Sequence, residues 1–257
     1  LEKAPHRLID ICEPTEAYSA ARFRQDALKE MQNITASGKI PLLVGGTMLY
    51  FRALEHGLSE LPEADPTVRK RLELEAQQKG REAMYQRLQQ LDPASASRIH
   101  PNDPQRIQRA LEVYEITGET MSSLYAQKTA QSIPYNVIKI AISPEDRSVL
   151  HERIGRRFHQ MLAQGLVDEV KAFYERDDMQ LDLPAMRSVG YRQVWEYLAG
   201  EYSDERMTER AIVVTRQFAK RQLTWLRSDK AINWFDAQDK NLLRKVLKYL
   251  GTVPISK

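Results

Sequence analysis

Short unbroken apolar runs alternate with helically spaced apolar residues over the first 54 positions. Residues 8–12 form one such run and predict a strand. Ser19 then opens a helical pattern in which Phe23, Ala27, Met31 and Ile34 share a face, and Gly38 stands at the C′ position, where a left-handed residue is wanted. Residues 40–44 are apolar without alternation, the character of a parallel strand covered on both faces, so this stretch predicts a β-α-β unit.

From residue 61 to about 132 the spacing is helical and no strand is predicted. Asp65-Pro66, Asp92-Pro93 and Asp103-Pro104 each set an N-cap acceptor before a residue tolerated in the first helical turn, which marks three helix starts. Met84, Leu88 and Leu91 make one apolar stripe and Ile107, Leu111 and Tyr114 another, so these helices can pack on one another. The Gln-, Ser- and Thr-rich residues 117–132 read as the way out. Strand character returns at 137–142, a long helix runs from Ser143-Pro144-Glu145 to Gly165, and 231–235 is a further strand candidate among helical patterns. The fold class predicted is α/β with a helical insertion: residues 1–58 and 135–257 form the core with C-terminal helices, and 59–134 form the insertion.

Composition narrows the class. With 42% hydrophobic and 28% charged residues in 257, the chain is globular rather than disordered. Cys12 is the single cysteine, so an intrachain disulfide and a thiolate zinc cluster are excluded, a cytoplasmic setting is expected, and Cys12 itself is expected to be buried and inert. The longest nearly charge-free apolar stretch, residues 40–51, is 12 residues long with two glycines inside it, short of the roughly 20 a membrane span needs. His6, His56, His100, His151 and His159 show no metal spacing.

Candidate chemistry lies in a turn and in clusters of arginine. Gly45-Gly46-Thr47 follows a predicted strand and opens a helix, an arrangement that favours an anion; a tight turn with Thr47 as N-cap is the commoner use of such a segment. Residues 35–39 end in Gly-Lys, but Ile40 stands where a P-loop needs a hydroxyl, and the segment closes a helix instead of opening one. No P-loop is present in this sequence. Arg106 with Arg109, and Arg153 with Arg157, form cationic pairs on helix faces, suited to phosphate or simply solvated. Net charge is only +3, yet residues 206–227 hold six basic residues (Arg206, Arg210, Arg216, Lys220, Arg221, Arg227) against Glu209. That is a +5 helix on a remainder of −2, with Arg206, Arg210, Gln217 and Arg221 near one face and Trp225 one turn on. It suits a phosphate-tracking surface. Leu223 and Leu226 flank Trp225, which makes a core position the commoner expectation for that ring.

Four blocks occur in order: residues 5–10 (Pro-His-Arg-Leu-Ile-Asp), 41–50 (Pro-Leu-Leu-Val-Gly-Gly-Thr-Met-Leu-Tyr), 98–106 (Arg-Ile-His-Pro-Asn-Asp-Pro-Gln-Arg) and 189–193 (Val-Gly-Tyr-Arg-Gln). Together they make the chain resemble the bacterial-type tRNA dimethylallyltransferase family over essentially its whole length. The resemblance implies a P-loop-NTPase-like parallel sheet core with an inserted helical domain that contacts tRNA. It also implies transfer of a dimethylallyl group from dimethylallyl pyrophosphate to the exocyclic amine of the adenosine 3′ of the anticodon, with Mg²⁺ as the ion, the tRNA anticodon arm as partner and a monomeric state. Carried over with it are Thr47 beside the reacting adenosine and Arg157 toward the pyrophosphate. Arg69, Gln105, Arg106, Ile107, Gln108, Arg109, Met186, Arg187, Ser188, Val189, Gly190, Tyr191, Lys220 and Arg221 are implied at the tRNA.

The family's P-loop and the Asp that serves as general base are expected upstream of Leu1, so tRNA affinity without appreciable catalysis is expected of the chain itself. Two other readings stay open on sequence. The α/β core and Gly45-Gly46-Thr47 also suit a nucleotide or small-molecule kinase-like phosphotransferase, and the +5 helix suits an RNA-binding module without catalysis.

Overall fold

The computed structural model describes residues 4–59, 61–127 and 133–253. These residues are mostly helical, with one two-stranded parallel sheet among them. In chain order they form α1 (Ala20–Ala36) and α2 (Met48–His56); then α3 (Pro66–Lys79), α4 (Arg81–Leu91), α5 (Pro93–Ala96), α6 (Pro104–Thr117) and α7 (Met121–Ala126). There follow β1 (Ile140–Ser143), α8 (Arg147–Ala163), α9 (Leu166–Tyr174), α10 (Tyr191–Leu198), α11 (Asp204–Ser228), β2 (Asn233–Asp236) and α12 (Leu242–Leu250). The chain packs as two units, Leu1–Arg52 with Pro134–Lys257, and Ala53–Ile133.

Unit Ala53–Ile133 follows the Asp-Pro punctuation. Asp65 accepts from the N–H groups of Thr67 (2.7 Å) and Val68 (3.1 Å), Asp92 from Ser95 (2.9 Å) and Asp103 from Arg106 (3.1 Å), each with proline in the first helical turn. The predicted stripes meet in one core, where Leu72, Met84, Leu88, Ile107 and Leu111 are buried together. Ion pairs lace its rim: Arg87 reaches Glu75 (2.7 Å) and Glu115 (2.6 Å), and Glu115 also takes Arg71. Burial alone would raise the Glu115 carboxyl, but the two guanidiniums outweigh it and hold it below its ordinary range. The polar stretch expected as a simple exit is structured in part. Gly118 adopts φ +73 after α6, and the Thr120 hydroxyl accepts from Ser123 N–H to start α7; residues 128–132 lie outside the described residues.

In the other unit, α8, α9, α10 and α11 share a core of Phe158, Leu166, Val170, Val194, Met207 and Ala211. β1 and β2 run parallel, with Ile140 beside Asn233 and Ser143 beside Asp236. Ser19 caps α1 as predicted, accepting from Arg22 N–H, and Gly38 sits at φ +73 beyond its C-terminus while Lys39 N–H returns to the Ile34 carbonyl.

Two predicted strands do not form. Leu8 (φ 62) and Asp10 (φ 54) lie in the left-handed region, which breaks an extended pleat, so residues 8–12 are a bent segment. Cys12 there is half-buried instead of buried. Residues 40–44 pair with no strand among the described residues, and Ile40, Leu42 and Val44 are exposed. An apolar run becomes a strand only where a ladder partner takes its backbone groups.

A long-range latch joins α11 to the turn before α2. Gln222 donates from Nε2 to the Gly46 carbonyl at 2.8 Å, across 176 residues of sequence. A Cβ at position 46 would lie 2.3 Å from that same Nε2, so the bond depends on glycine. The first turn of α2 is held in turn by Tyr50, which stacks on Phe23 at 4.5 Å and donates to the Tyr18 carbonyl at 3.0 Å.

Two stability predictions follow from these contacts. Buried Asp92 accepts from Ser95 and, at 3.0 Å, from Ser122 N–H; burial would raise its pKa, but the serine bonds outweigh that and lower it. A lowered carboxyl contributes stability above its unfolded pKa of about 3.9 and loses it as pH falls through the folded value. Asp92→Asn is therefore expected to cost about 1–3 kcal/mol at pH 7 in denaturant titrations, with the gap to wild type closing at acid pH; a gap unchanged at pH 3 would dismiss the charge as its source. Gly46→Ala is expected to displace Gln222 and cost about 0.5–1.5 kcal/mol for the lost bond, with Gln222→Ala adding nothing in that background. Additive losses would show that the two residues act independently.

Candidate functional site

In the unit Leu1–Arg52 with Pro134–Lys257, the exposed features cluster on α11 and on the turn that it latches. Thr47 is exposed. Its backbone carbonyl takes Tyr50 N–H at 2.9 Å, but among the described residues its hydroxyl has no hydrogen-bond partner. The side chain is thus not spent as a helix cap and is open to a ligand. On α11, Gln217, Lys220, Arg221, Thr224 and Trp225 line an open hollow of about 380 Å³. Trp225 is 40% exposed, against the expectation of a core position, because Leu223 and Leu226 take the inner positions at about 100° per residue. The Arg52 guanidinium lies 5.9 Å from the centre of the Trp225 ring.

The basic run on α11 divides in two. Arg206 pairs with Glu209 of the same helix at 3.1 Å and Arg210 lies 4.8 Å over the Tyr202 ring, so both cations of the first half have a partner. Arg216, Lys220, Arg221 and Arg227 have no carboxylate partner among the described residues, and Arg221 rests 5.7 Å over Phe218. On α8, which packs against α11, Arg156 pairs with Glu152, whereas exposed Arg153 and Arg157 have no carboxylate partner among the described residues. Uncompensated guanidinium and ammonium groups are what an incoming phosphate or pyrophosphate selects.

The segment before α10 is mixed. Met186 is fully buried, Val189 is half-buried, and Arg187 and Ser188 face solvent. Gly190 has φ +98, its N–H bonds Gln193 Oε1 at 2.9 Å, and a Cβ there would sit 3.8 Å from the Phe158 ring. The Tyr191 hydroxyl donates to Glu169. Burial first and that carboxylate second push its pKa up to about 12, so it stays a donor.

In unit Ala53–Ile133 the predicted contact residues take different places. Gln105 and Arg106 are exposed, with Arg106 3.2 Å from the cap carboxylate of Asp103. Ile107 is buried in the core, closed to a ligand. Gln108 Nε2 donates to the Arg69 carbonyl and to Glu73, both at 3.3 Å. Arg106 and Arg109, expected as one cationic ridge, differ: Arg109 turns inward, donating to Glu112 at 2.6 Å and to the Pro62 carbonyl at 2.5 Å. Arg69 donates to the same carboxylate from Nε (2.9 Å) and Nη2 (3.4 Å). Glu112 has no exposed surface and stands outside the predictions. Its signal in the sequence is a lone acid within the apolar stretch Ala110, Leu111, Val113 of α6.

Among the described residues no group of three or more His, Cys, Asp or Glu side chains could hold a metal ion. Among them, too, no helix is long and apolar enough to cross a membrane.

The sequence matches the family described as IPP transferase over residues 1–229. The structure is similar to the full-length tRNA isopentenylpyrophosphate transferase of Bacillus halodurans, with 34% identity, 97% of this chain and 77% of that chain covered, and a TM-score of 0.66. It is also similar to the tRNA delta(2)-isopentenylpyrophosphate transferase of Staphylococcus epidermidis, at 28% identity, 98% and 82% coverage and a TM-score of 0.61. A eukaryotic dimethylallyltransferase acting on tRNA shares the fold at 24% identity and a TM-score of 0.79, over 100% of this chain and 68% of that one. With residues 1–229 of 257 matched, the chain belongs to the IPP transferase family.

Proposed function

We propose that this chain acts in tRNA prenylation, carrying a dimethylallyl group from its pyrophosphate to the exocyclic amine of the adenosine 3′ of the anticodon. The relatives in Bacillus halodurans and Staphylococcus epidermidis are tRNA isopentenylpyrophosphate transferases, and family membership leaves the kinase-like alternative without support. The observation that carries the reading is the α11 hollow, where Lys220, Arg221 and exposed Trp225 offer charge for a backbone phosphate and a ring face for an unstacked base.

In the proposed reaction the amine nitrogen bonds to the allylic carbon, the carbon–oxygen bond to pyrophosphate breaks, and the amine passes its proton to the Asp general base that the family resemblance implies. Negative charge grows on the leaving pyrophosphate. Arg157, exposed and without a carboxylate partner among the described residues, is suited to stabilise that charge more than the ground state. Thr47, whose hydroxyl has no partner among the described residues, is suited to orient the base once it has left the anticodon stack. The parallel β1–β2 pair connected through helices supports, as part of the same reading, a P-loop-NTPase-like core. The anticodon arm is the expected partner, the monomer the expected state and the cytoplasm the expected setting.

Binding carries the test for this chain. Fluorescence anisotropy with an unmodified anticodon stem-loop should give a Kd that weakens steeply with salt, and Lys220→Ala or Arg221→Ala should each reduce the slope of log Kd against log salt by about one. An unchanged slope in both variants would return these cations to a solvated face. Turnover is read by mass spectrometry of nucleosides after incubation with dimethylallyl pyrophosphate, Mg²⁺ and tRNA. Prenylated adenosine made by the chain itself would place the proton acceptor among its own residues.

A further inference from the structure

We infer that Glu112 is a positioning residue, a buried carboxylate that holds Arg69 in a fixed orientation with one edge of its guanidinium free for an RNA phosphate. The inference rests on the tRNA-binding reading above. Glu112 collects four donors: Asp65 N–H at 3.0 Å and Arg69 Nε at 2.9 Å on one oxygen, and Arg69 Nη2 at 3.4 Å and Arg109 Nη1 at 2.6 Å on the other. Such a set uses the acceptor capacity of a carboxylate in full. Gln108 fixes the backbone at the same place by donating to the Arg69 carbonyl.

Arg69 is gripped along the Nε/Nη2 edge, Nη1 has no partner among the described residues, and the side chain is 48% exposed. Two guanidiniums against one carboxylate leave a net charge of +1. A bare stability role explains this poorly, because a buried carboxylate with its cations is about matched by apolar packing of the same volume. A guanidinium already held in one rotamer, by contrast, loses little side-chain freedom when it takes up a phosphate.

Charge and geometry make opposite forecasts, which gives the test its sign. Glu112→Gln removes a negative charge from a unit expected to bind RNA, so Coulomb attraction alone would tighten binding. Loss of positioning weakens it. With the anticodon stem-loop as probe, binding corrected for folded fraction by circular dichroism, and wild type compared with Glu112→Gln, Arg69→Ala and their double variant, we expect Glu112→Gln to bind about tenfold more weakly. The double variant should bind no more weakly than Arg69→Ala alone. Arg69→Lys keeps the charge but lacks the fork, folds independently of any change at Glu112, and should match the loss seen in Arg69→Ala. Glu112→Gln binding as well as wild type or tighter, losses that add in the double variant, or full affinity in Arg69→Lys would overturn the inference while leaving tRNA binding in place. A wild-type chain that does not bind the stem-loop at low salt overturns the functional reading and the inference with it.

Discussion

A carboxylate buried among helices is tolerable only if its lone pairs are met, and much of the unit Ala53–Ile133 is arranged to meet them at Glu112. The Asp65 N–H that reaches Glu112 belongs to the residue whose side chain caps α3, and Arg69 stands one turn further along that helix. One acid therefore sets the start of α3 against α6 and fixes the arginines of both. The apolar core of Leu72, Leu88 and Leu111 supplies the bulk of the cohesion, while the ionic contacts decide how the helix surfaces are oriented.

Among the described residues, charge in the other unit is left uncompensated where the proposed chemistry needs it. On the front of α11 Arg206 is neutralised by Glu209 of the same helix and Arg210 lies over the Tyr202 ring, and the later turns present Lys220, Arg221 and Arg227 to solvent. The Gln222 latch places Thr47 by holding the backbone one residue before it, so the turn is fixed without using the hydroxyl. A polar contact through main chain is suited to a site whose side chains are wanted elsewhere.

What could be read in the sequence was local. Asp65, Asp92 and Asp103 signal helix starts through bonds that reach two or three residues ahead, and all three helices begin there. Gly38 likewise marks the end of α1. Much of what could not be read needed a partner distant in sequence or the rotation of a helix face. The run 40–44 looks like a strand, but nothing within it states whether a neighbour will complete the ladder. Leucines adjacent to Trp225 suggest a core position for its ring, but helical rotation, not adjacency, decides which side chain turns inward. Arg69 and Arg109 were legible as cations, yet the acid that orients both lies 43 residues from Arg69. The family resemblance supplied the reaction that composition and spacing left open.

The discontinuity of the unit Leu1–Arg52 with Pro134–Lys257 also sets an order of events during synthesis. Ala53–Ile133 is contiguous, so every residue of its core has emerged before α11 is made. The bond from Gln222 to Gly46 must wait for 176 more residues, roughly ten to thirty-five seconds at ribosomal rates of about 5–20 residues per second. Through that interval the turn that carries Thr47 lacks its partner on α11, so the last helix of the core to be made is also the one that sets this turn in place.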